Sequence, residues 1–145
     1  MDRISRNQRS RLMASINSKD NKAERRVRSF LHTSGFRFRL HGCVGTSILP
    51  SGVLPGKPDI VLLRYKTVIL VNGCFWHQHE GCPKARRSVT NADFWDKKLN
   101  ANIQRDAANI ETLNKLGWRT IVIWGCELEK RLKKLPEEIK RVKNG

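Results

Sequence analysis

Two runs of aliphatic and β-branched residues, Asp59-Ile60-Val61-Leu62-Leu63 and Thr67-Val68-Ile69-Leu70-Val71, stand only three residues apart. A gap that short permits an antiparallel pair and little else, and runs apolar on both sides of the pleat belong in the middle of a sheet. Downstream, Thr90-Asn91-Ala92-Asp93 reads as a capping box opening a long helix that ends at Gly117, and Trp118 to Trp124 forms a third β-rich run. A basic stretch, expected to be helical, leads to Gly145. Upstream, Ala23, Val27, Phe30 and Leu31 share one face of a helix from Asn21 to Ser34, with Gly35 as its stop. Phe36 to Leu40 alternates like a half-buried strand, and His41 to Pro58, with four Gly and three Pro, reads as an irregular loop. The basic segment 3–18, with Leu12 and Ile16 at helical spacing after Ser5, suggests a helical arm presenting Arg6, Arg9 and Arg11. The resulting order is a mixed α/β sheet flanked by helices. At 145 residues one domain is expected, with a basic arm over 1–18 and a basic tail over 127–145.

Twenty-nine Lys and Arg against thirteen Asp and Glu give a formal charge of +16. A surface that repels itself this strongly calls for a polyanion, and nucleic acid is the commonest, although charge alone separates neither DNA from RNA nor a binder from an enzyme. No apolar run is long enough to cross a bilayer, and the first residues are polar and basic, so no membrane partner and a cytoplasmic, nucleoid-associated location are expected. In a reducing compartment Cys43, Cys74, Cys82 and Cys126 favour metal over disulfides.

Cys74, His79 and Cys82 fall within nine residues, and Cys126 follows the last β-rich run. Tetrahedral zinc takes four N or S donors, commonly two local and two remote, and this spacing suits a Cys3His site, closed to water and therefore structural. His77 competes with His79 for the fourth place on spacing alone, and the competing reading is buried free thiols beside a surface histidine. Cys43 is left over.

A second constellation is acidic. Asp59 begins one β-rich run and the next ends at Val71-Asn72, an arrangement in which a carboxylate and a backbone carbonyl can bind hard Mg²⁺. In the long helix Trp95, Leu99, Ile103, Ile110 and Leu113 form an apolar stripe with Asp106 in its middle. A carboxylate there needs a partner; an imidazole, with His77 as candidate, would make a general base, while an Asp–Arg core pair is the structural alternative.

The run Gly73-Cys74-Phe75-Trp76-His77, with Pro55-Gly56-Lys57-Pro58-Asp59, Phe94-Trp95 and Leu116-Gly117-Trp118-Arg119, closely resembles the very-short-patch-repair endonucleases, from about Arg9 to about Cys126. The resemblance implies a restriction-endonuclease-like fold and a Mg²⁺-dependent nick 5′ of the mismatched thymine in T:G pairs left by deamination of 5-methylcytosine. It implies Asp59 and the Val71 carbonyl as Mg²⁺ ligands, His77 and Asp106 as base and orienting acid, and Glu24 as holder of metal-bound water. Cys74, His79, Cys82 and Cys126 fall on structural zinc positions. Phe75, Trp76 and Trp95 would form an aromatic platform wedged into the duplex beside the mismatch, with Met13 entering from the other groove and Lys98 and Asn102 also on DNA; the alternative is ordinary core aromatics, but Phe75 and Trp76, flanked by a metal ligand and a catalytic histidine, are expected to be exposed. Double-stranded DNA with a T:G mismatch is the expected partner, mismatch-repair proteins and a repair polymerase are possible further ones, and a monomer suffices for a single nick.

Two features depart from the family. Asn72 stands where the family usually has histidine; an amide can donate a hydrogen bond but carries no proton at neutral pH, so an impaired enzyme is expected, whether natural or altered to trap DNA. The loop 42–54 is longer than usual. The rival readings are a restriction-type enzyme cutting both strands and a non-catalytic zinc nucleic-acid-binding module.

Overall fold

A computed structural model of the chain describes residues 22–87 and 89–141. The arm expected over 1–18, with Ser5, Arg6, Arg9, Arg11 and Met13, lies outside them. In chain order the elements are α1 (Lys22–Thr33), β1 (Arg39–Leu40), β2 (Ile60–Leu62), β3 (Thr67–Asn72), α2 (Ala92–Lys115), β4 (Arg119–Trp124) and α3 (Leu128–Lys140), with single 3₁₀ turns after β2, before α2 and after β4. The sheet order is β1-β2-β3-β4: β1, β2 and β3 pair antiparallel, and β3 and β4 parallel. The two runs expected at the centre are there, and α2 supplies the crossover that parallel strands require.

Alternation along the strands sorts the side chains into two cores. Ile60, Leu62, Ile69, Val71, Ile121 and Ile123 face α1 and α3, meeting Val27, Leu31, Leu132, Leu135 and Ile139. Val61 and Val68 face the other way, onto Leu113, Trp118 and the loop residues Val44 and Leu54. The stretch read as a basic tail is therefore half core: α3 carries its charges outside and closes one face of the sheet. A bidentate Arg26–Glu129 pair, at 2.9 and 3.1 Å, ties α1 to it.

Three expectations change. The strand expected over 36–40 shrinks to two residues, Arg39–Leu40; β2 ends at Leu62 and turns at Leu63–Tyr65, so Phe36 and Arg37 have the turn opposite them and not a strand. The long helix starts at Ala92, with Asn91 at the N-cap in a left-handed conformation and no side-chain cap bond. Its apolar stripe is interrupted: Trp95, Leu99 and Leu113 are buried, whereas Ile103 is 40% exposed.

The loop 42–54 folds back on itself, with a bridge between Cys43 and Val53, a Leu54 N–H to Gly42 carbonyl bond of 2.9 Å, and Val44 and Leu54 buried. Gly42 sits where this flap meets the start of β2. Its φ is +77°, and a Cβ there would lie 2.9 Å from the Cα of Lys57. Gly42→Ala therefore combines left-handed strain with a backbone collision and is expected to lower stability by about 1–3 kcal/mol. Urea unfolding checks this; an unchanged midpoint would mean the flap shifts freely.

Candidate active site and metal centre

The parallel pairing of β3 and β4 ends at Asn72 opposite Trp124. Two residues past each end come Cys74 and Cys126, so strand register alone carries two thiols to one place. His79 and Cys82 reach them from the loop after β3, and the four ligand atoms all lie within 4.8 Å of one another. The His79 Nδ1 is 3.7 Å from Cys74 Sγ and 3.4 Å from Cys126 Sγ, and the Cys82 and Cys126 sulfurs are 3.8 Å apart. Donors of a tetrahedral ion of zinc's size sit roughly 3.6–3.8 Å apart, so this cluster fits a metal. Trp124 stacks on the His79 ring, with centroids 4.2 Å apart and planes at 10°, which fixes the ring's direction. Burial raises the Cys82 thiol, but the Lys84 backbone N–H and hydrogen bonds with His79, Cys126 and Cys74 outweigh it and bring the pKa down to about 7. Burial and the neighbouring thiols push Cys126 up to about 11. Such a split is what crowding several thiols produces before a cation takes all their protons. Cys43 is exposed and outside the cluster.

The choice between His77 and His79 is resolved by direction. Gln78 between them adopts φ +51°, a left-handed conformation rare outside glycine, and the chain reverses there. His79 turns to the thiols; His77 turns to α2, where its Nδ1 lies 2.5 Å from Oδ2 of Asp106. A carboxylate only accepts, so Nδ1–H donates, and in the neutral ring the lone pair is the one on Nε2. Both side chains are about one-third exposed, at 32% and 29%, so the pair is reachable from solvent.

Asp59 precedes β2 at the same end of the sheet. Its Oδ2 accepts the Val71 N–H at 2.7 Å, which places carboxylate and Val71 backbone side by side. Burial raises its pKa above the usual carboxylate range, against the pull of that N–H and of the charges of His77 and His41. Asp59 and His77 are thus electrostatic neighbours. Glu24, in the first turn of α1, is 2% exposed, and its Oε1 lies 3.8 Å from His41 Nδ1. Asn72 is buried at the end of β3.

The aromatic residues need a correction. Trp76 and Trp95 are each only 7% exposed, packed with Leu99 and the partly buried Phe75. Their rings meet edge-on or tilted at 5.5 to 5.9 Å, the favoured geometry for aromatic packing, so the free protein does not display the expected open wedge. The exposed member is Phe94, 59% accessible and edge-on to Trp95. Lys98 Nζ lies 5.2 Å above the Trp76 ring, and the Asn102 amide donates to the Trp76 carbonyl at 3.1 Å, so Asn102 holds the loop whatever else it does.

Three residues escaped the sequence reading. Arg87 clamps the loop to α2, donating to Gln78 (2.8 Å), Asp96 (2.9 Å) and Asn100 (2.9 Å). Gln78 itself donates to the carbonyls of Phe75 and Ala85. Neither has a motif to betray it, because their partners, 3 to 13 residues away, follow no regular spacing. His41 followed a strand-like run and could have been noticed as an imidazole one step beyond it.

The sign of the Asp59 effect follows from its raised pKa. The folded state holds the Asp59 proton more tightly than the unfolded chain does, so ionised Asp59 costs stability at neutral pH and that cost is relieved as pH falls through its folded pKa. Asp59→Asn, whose amide oxygen can still accept from Val71, is expected to raise the melting temperature at pH 7, with the gain shrinking at acidic pH. A lower melting temperature at pH 7 would show that the charge is compensated.

The sequence model of the family described as DNA mismatch endonuclease Vsr matches residues 1–84. The chain is similar to the type II nicking enzyme V.NmeAIP of Neisseria meningitidis, with 41% identity over 96% of both chains. It is also similar to the type II nicking enzyme V.XorIIP of Xanthomonas oryzae, at 42% identity over 88% of this chain and 86% of the relative. With the DNA mismatch endonuclease Vsr of Escherichia coli it shares 37% identity, over 90% of this chain and 76% of the relative.

Proposed function

The chain belongs to the family of Vsr DNA mismatch endonucleases and is a DNA endonuclease, and from that premise we propose that it nicks one strand on the 5′ side of the mismatched thymine in a T:G pair. The observation that carries this reading is the His77–Asp106 contact of 2.5 Å at the sheet end where Asp59 meets Val71. Oriented base and acidic ligand are the two parts that phosphodiester hydrolysis requires beside each other.

Asp59 and the Val71 carbonyl would hold Mg²⁺, with Glu24 on a metal-bound water; the Asp59 carboxylate lying against the Val71 backbone supports this reading. When bound there, the ion would polarise the scissile phosphate and favour the developing negative charge. Asp106 fixes the His77 tautomer, and Nε2 takes a proton from the attacking water as its oxygen bonds to phosphorus. The bond to the 3′ oxygen breaks, leaving a nick. Zinc at Cys74, His79, Cys82 and Cys126 would act as scaffolding, holding the loop that carries His77 to the sheet. Phe75, Trp76 and Trp95 form the wedge, with Phe94 as its exposed leading edge, and Lys98 and Asn102 face the disturbed base pair from α2. A T:G pair unstacks at less cost than a matched one, so buried rings can be drawn out against a lesion and not against intact duplex.

A covalently closed plasmid bearing T:G or T:A at one position tests this. With Mg²⁺ the T:G plasmid is expected to be nicked at least about tenfold faster, chelation and Asp59→Ala to abolish nicking, and His77→Ala to slow it by about 10²–10⁴. Linear product from matched plasmid would favour a restriction-type enzyme, and retention of the plasmid without cleavage a binding module.

Asn72 gives a separate test. If the missing imidazole limits the rate, Asn72→His accelerates nicking, by up to about 10² for a restored proton donor. Equal rates would show that position 72 is not limiting.

A further inference from the structure

Two thiols of the Cys/His cluster are open to solvent, which a scaffold alone does not require. Cys126 is exposed and Cys82 half-buried, whereas Cys74 is only 6% exposed. A hollow of about 440 Å³ is lined by His79, Cys82 and Cys126, and Cys74 takes no part in that lining. The sulfurs of its two cysteines lie 3.8 Å apart.

That spacing suits a second chemistry. A disulfide holds its sulfurs about 2.05 Å apart, so closure brings this pair together by less than about 2 Å. Cys126 sits in the turn Gly125–Glu127 after β4, and Cys82 ends the reversal after His79, whose carbonyl accepts the Cys82 N–H at 3.2 Å. A bond between them spans 44 residues and ties the loop after β3 to the end of β4. It also withdraws two donors, and the remaining pair, Cys74 and His79, is too few for tetrahedral zinc.

We propose that Cys82 and Cys126 are an oxidation-sensitive pair: a peroxide joins them in a disulfide, the cluster loses its metal, and the loop that carries His77 is displaced. The release step alone rests on reading the cluster as a metal scaffold. One thiolate, that of the more exposed Cys126, attacks a peroxide oxygen; the O–O bond breaks, and a sulfenic acid and hydroxide form. The Cys82 thiolate attacks that sulfur, the S–O bond breaks and a second hydroxide leaves. Together the sulfurs lose two electrons and the peroxide gains them. A thiol reductant reverses the linkage, so a reducing compartment keeps the pair open at rest.

The test uses the full, zinc-loaded chain carrying Cys43→Ser, which removes an exposed thiol outside the cluster. Hydrogen peroxide is added, and one time course follows zinc release with a chelating dye, disulfides by peptide mapping without reductant, and nicking of the T:G plasmid after the peroxide is removed. Zinc release and the Cys82–Cys126 disulfide are expected in equal amounts, with nicking falling in step and returning with dithiothreitol and zinc. Cys126→His keeps four donors but removes one sulfur, and is expected to retain zinc at least about tenfold longer under the same peroxide. A disulfide that includes Cys74, zinc loss without a disulfide, or a Cys82–Cys126 disulfide that leaves nicking unchanged overturns the inference. Zinc content before oxidation tests the cluster separately: a chain that takes up no zinc sinks the scaffold reading and the release step with it, whereas a zinc-loaded chain whose thiols stay unlinked overturns the redox pair alone. A reduced chain that never nicks counts against the nuclease reading, and the zinc and disulfide readouts then decide the pair.

Discussion

The parallel ladder between β3 and β4 is the contact on which the rest of the site depends. Six register pairs, from Thr67↔Arg119 to Asn72↔Trp124, set the two strand ends level. Because they end level, Cys74 and Cys126 arrive together, and because β2 runs antiparallel beside β3, its first residues point to the same end. A slip of one residue would invert the inward and outward faces of β4 and separate the thiols at once. Burial of Ile121 and Ile123 against Ile69, Val71 and α3 makes that slip expensive, so the hydrophobic core and the geometry of the Cys/His cluster are enforced by one set of contacts.

From that base a single loop serves two centres. Residues 74 to 82 contain one histidine that faces thiols and one that faces a carboxylate, and the left-handed Gln78 separates them. A non-glycine residue there costs about 1 kcal/mol or more unless its surroundings compensate. Gln78 uses both ends of its amide and Arg87 reaches three acceptors, and these bonds replace the order that a polar loop lacks. The scaffold cluster and the candidate base are thus mechanically one piece: a disturbance at Cys82 reaches His77 through a handful of backbone bonds.

Much of this was legible in the sequence, for identifiable reasons. Continuous aliphatic and β-branched runs placed β2, β3 and β4, a capping box and a period-3.6 stripe placed α2, and Asp106 was conspicuous because a carboxylate in an apolar stripe demands a partner. What stayed hidden depends on distance in space. Spacing offered His77 and His79 as equals, since the deciding φ of Gln78 is a tertiary outcome. The burial of Trp76 was misjudged because adjacency to a ligand and a histidine says nothing of which side of the chain the ring will find. Phe36 to Phe38 alternates like a strand, yet no neighbour extends far enough to pair with it. The core role of Leu132, Leu135 and Ile139 was masked by the lysines and arginines around them.

The electrostatic design is asymmetric. The chain carries a formal charge of +16, yet its candidate centre gathers Asp59, Glu24 and Asp106 at one end of the sheet, two of them substantially removed from water. Buried carboxylates oppose folding unless cations or imidazoles meet them. His77 and His41 supply part of that compensation, and a divalent ion would supply more. The positive exterior attracts a polyanion over long range, while carboxylates in the interior repel a phosphate unless a cation lies between them. Attraction and discrimination are thereby assigned to different shells of the molecule, and affinity for DNA in general need not rise and fall with the capacity to cut it.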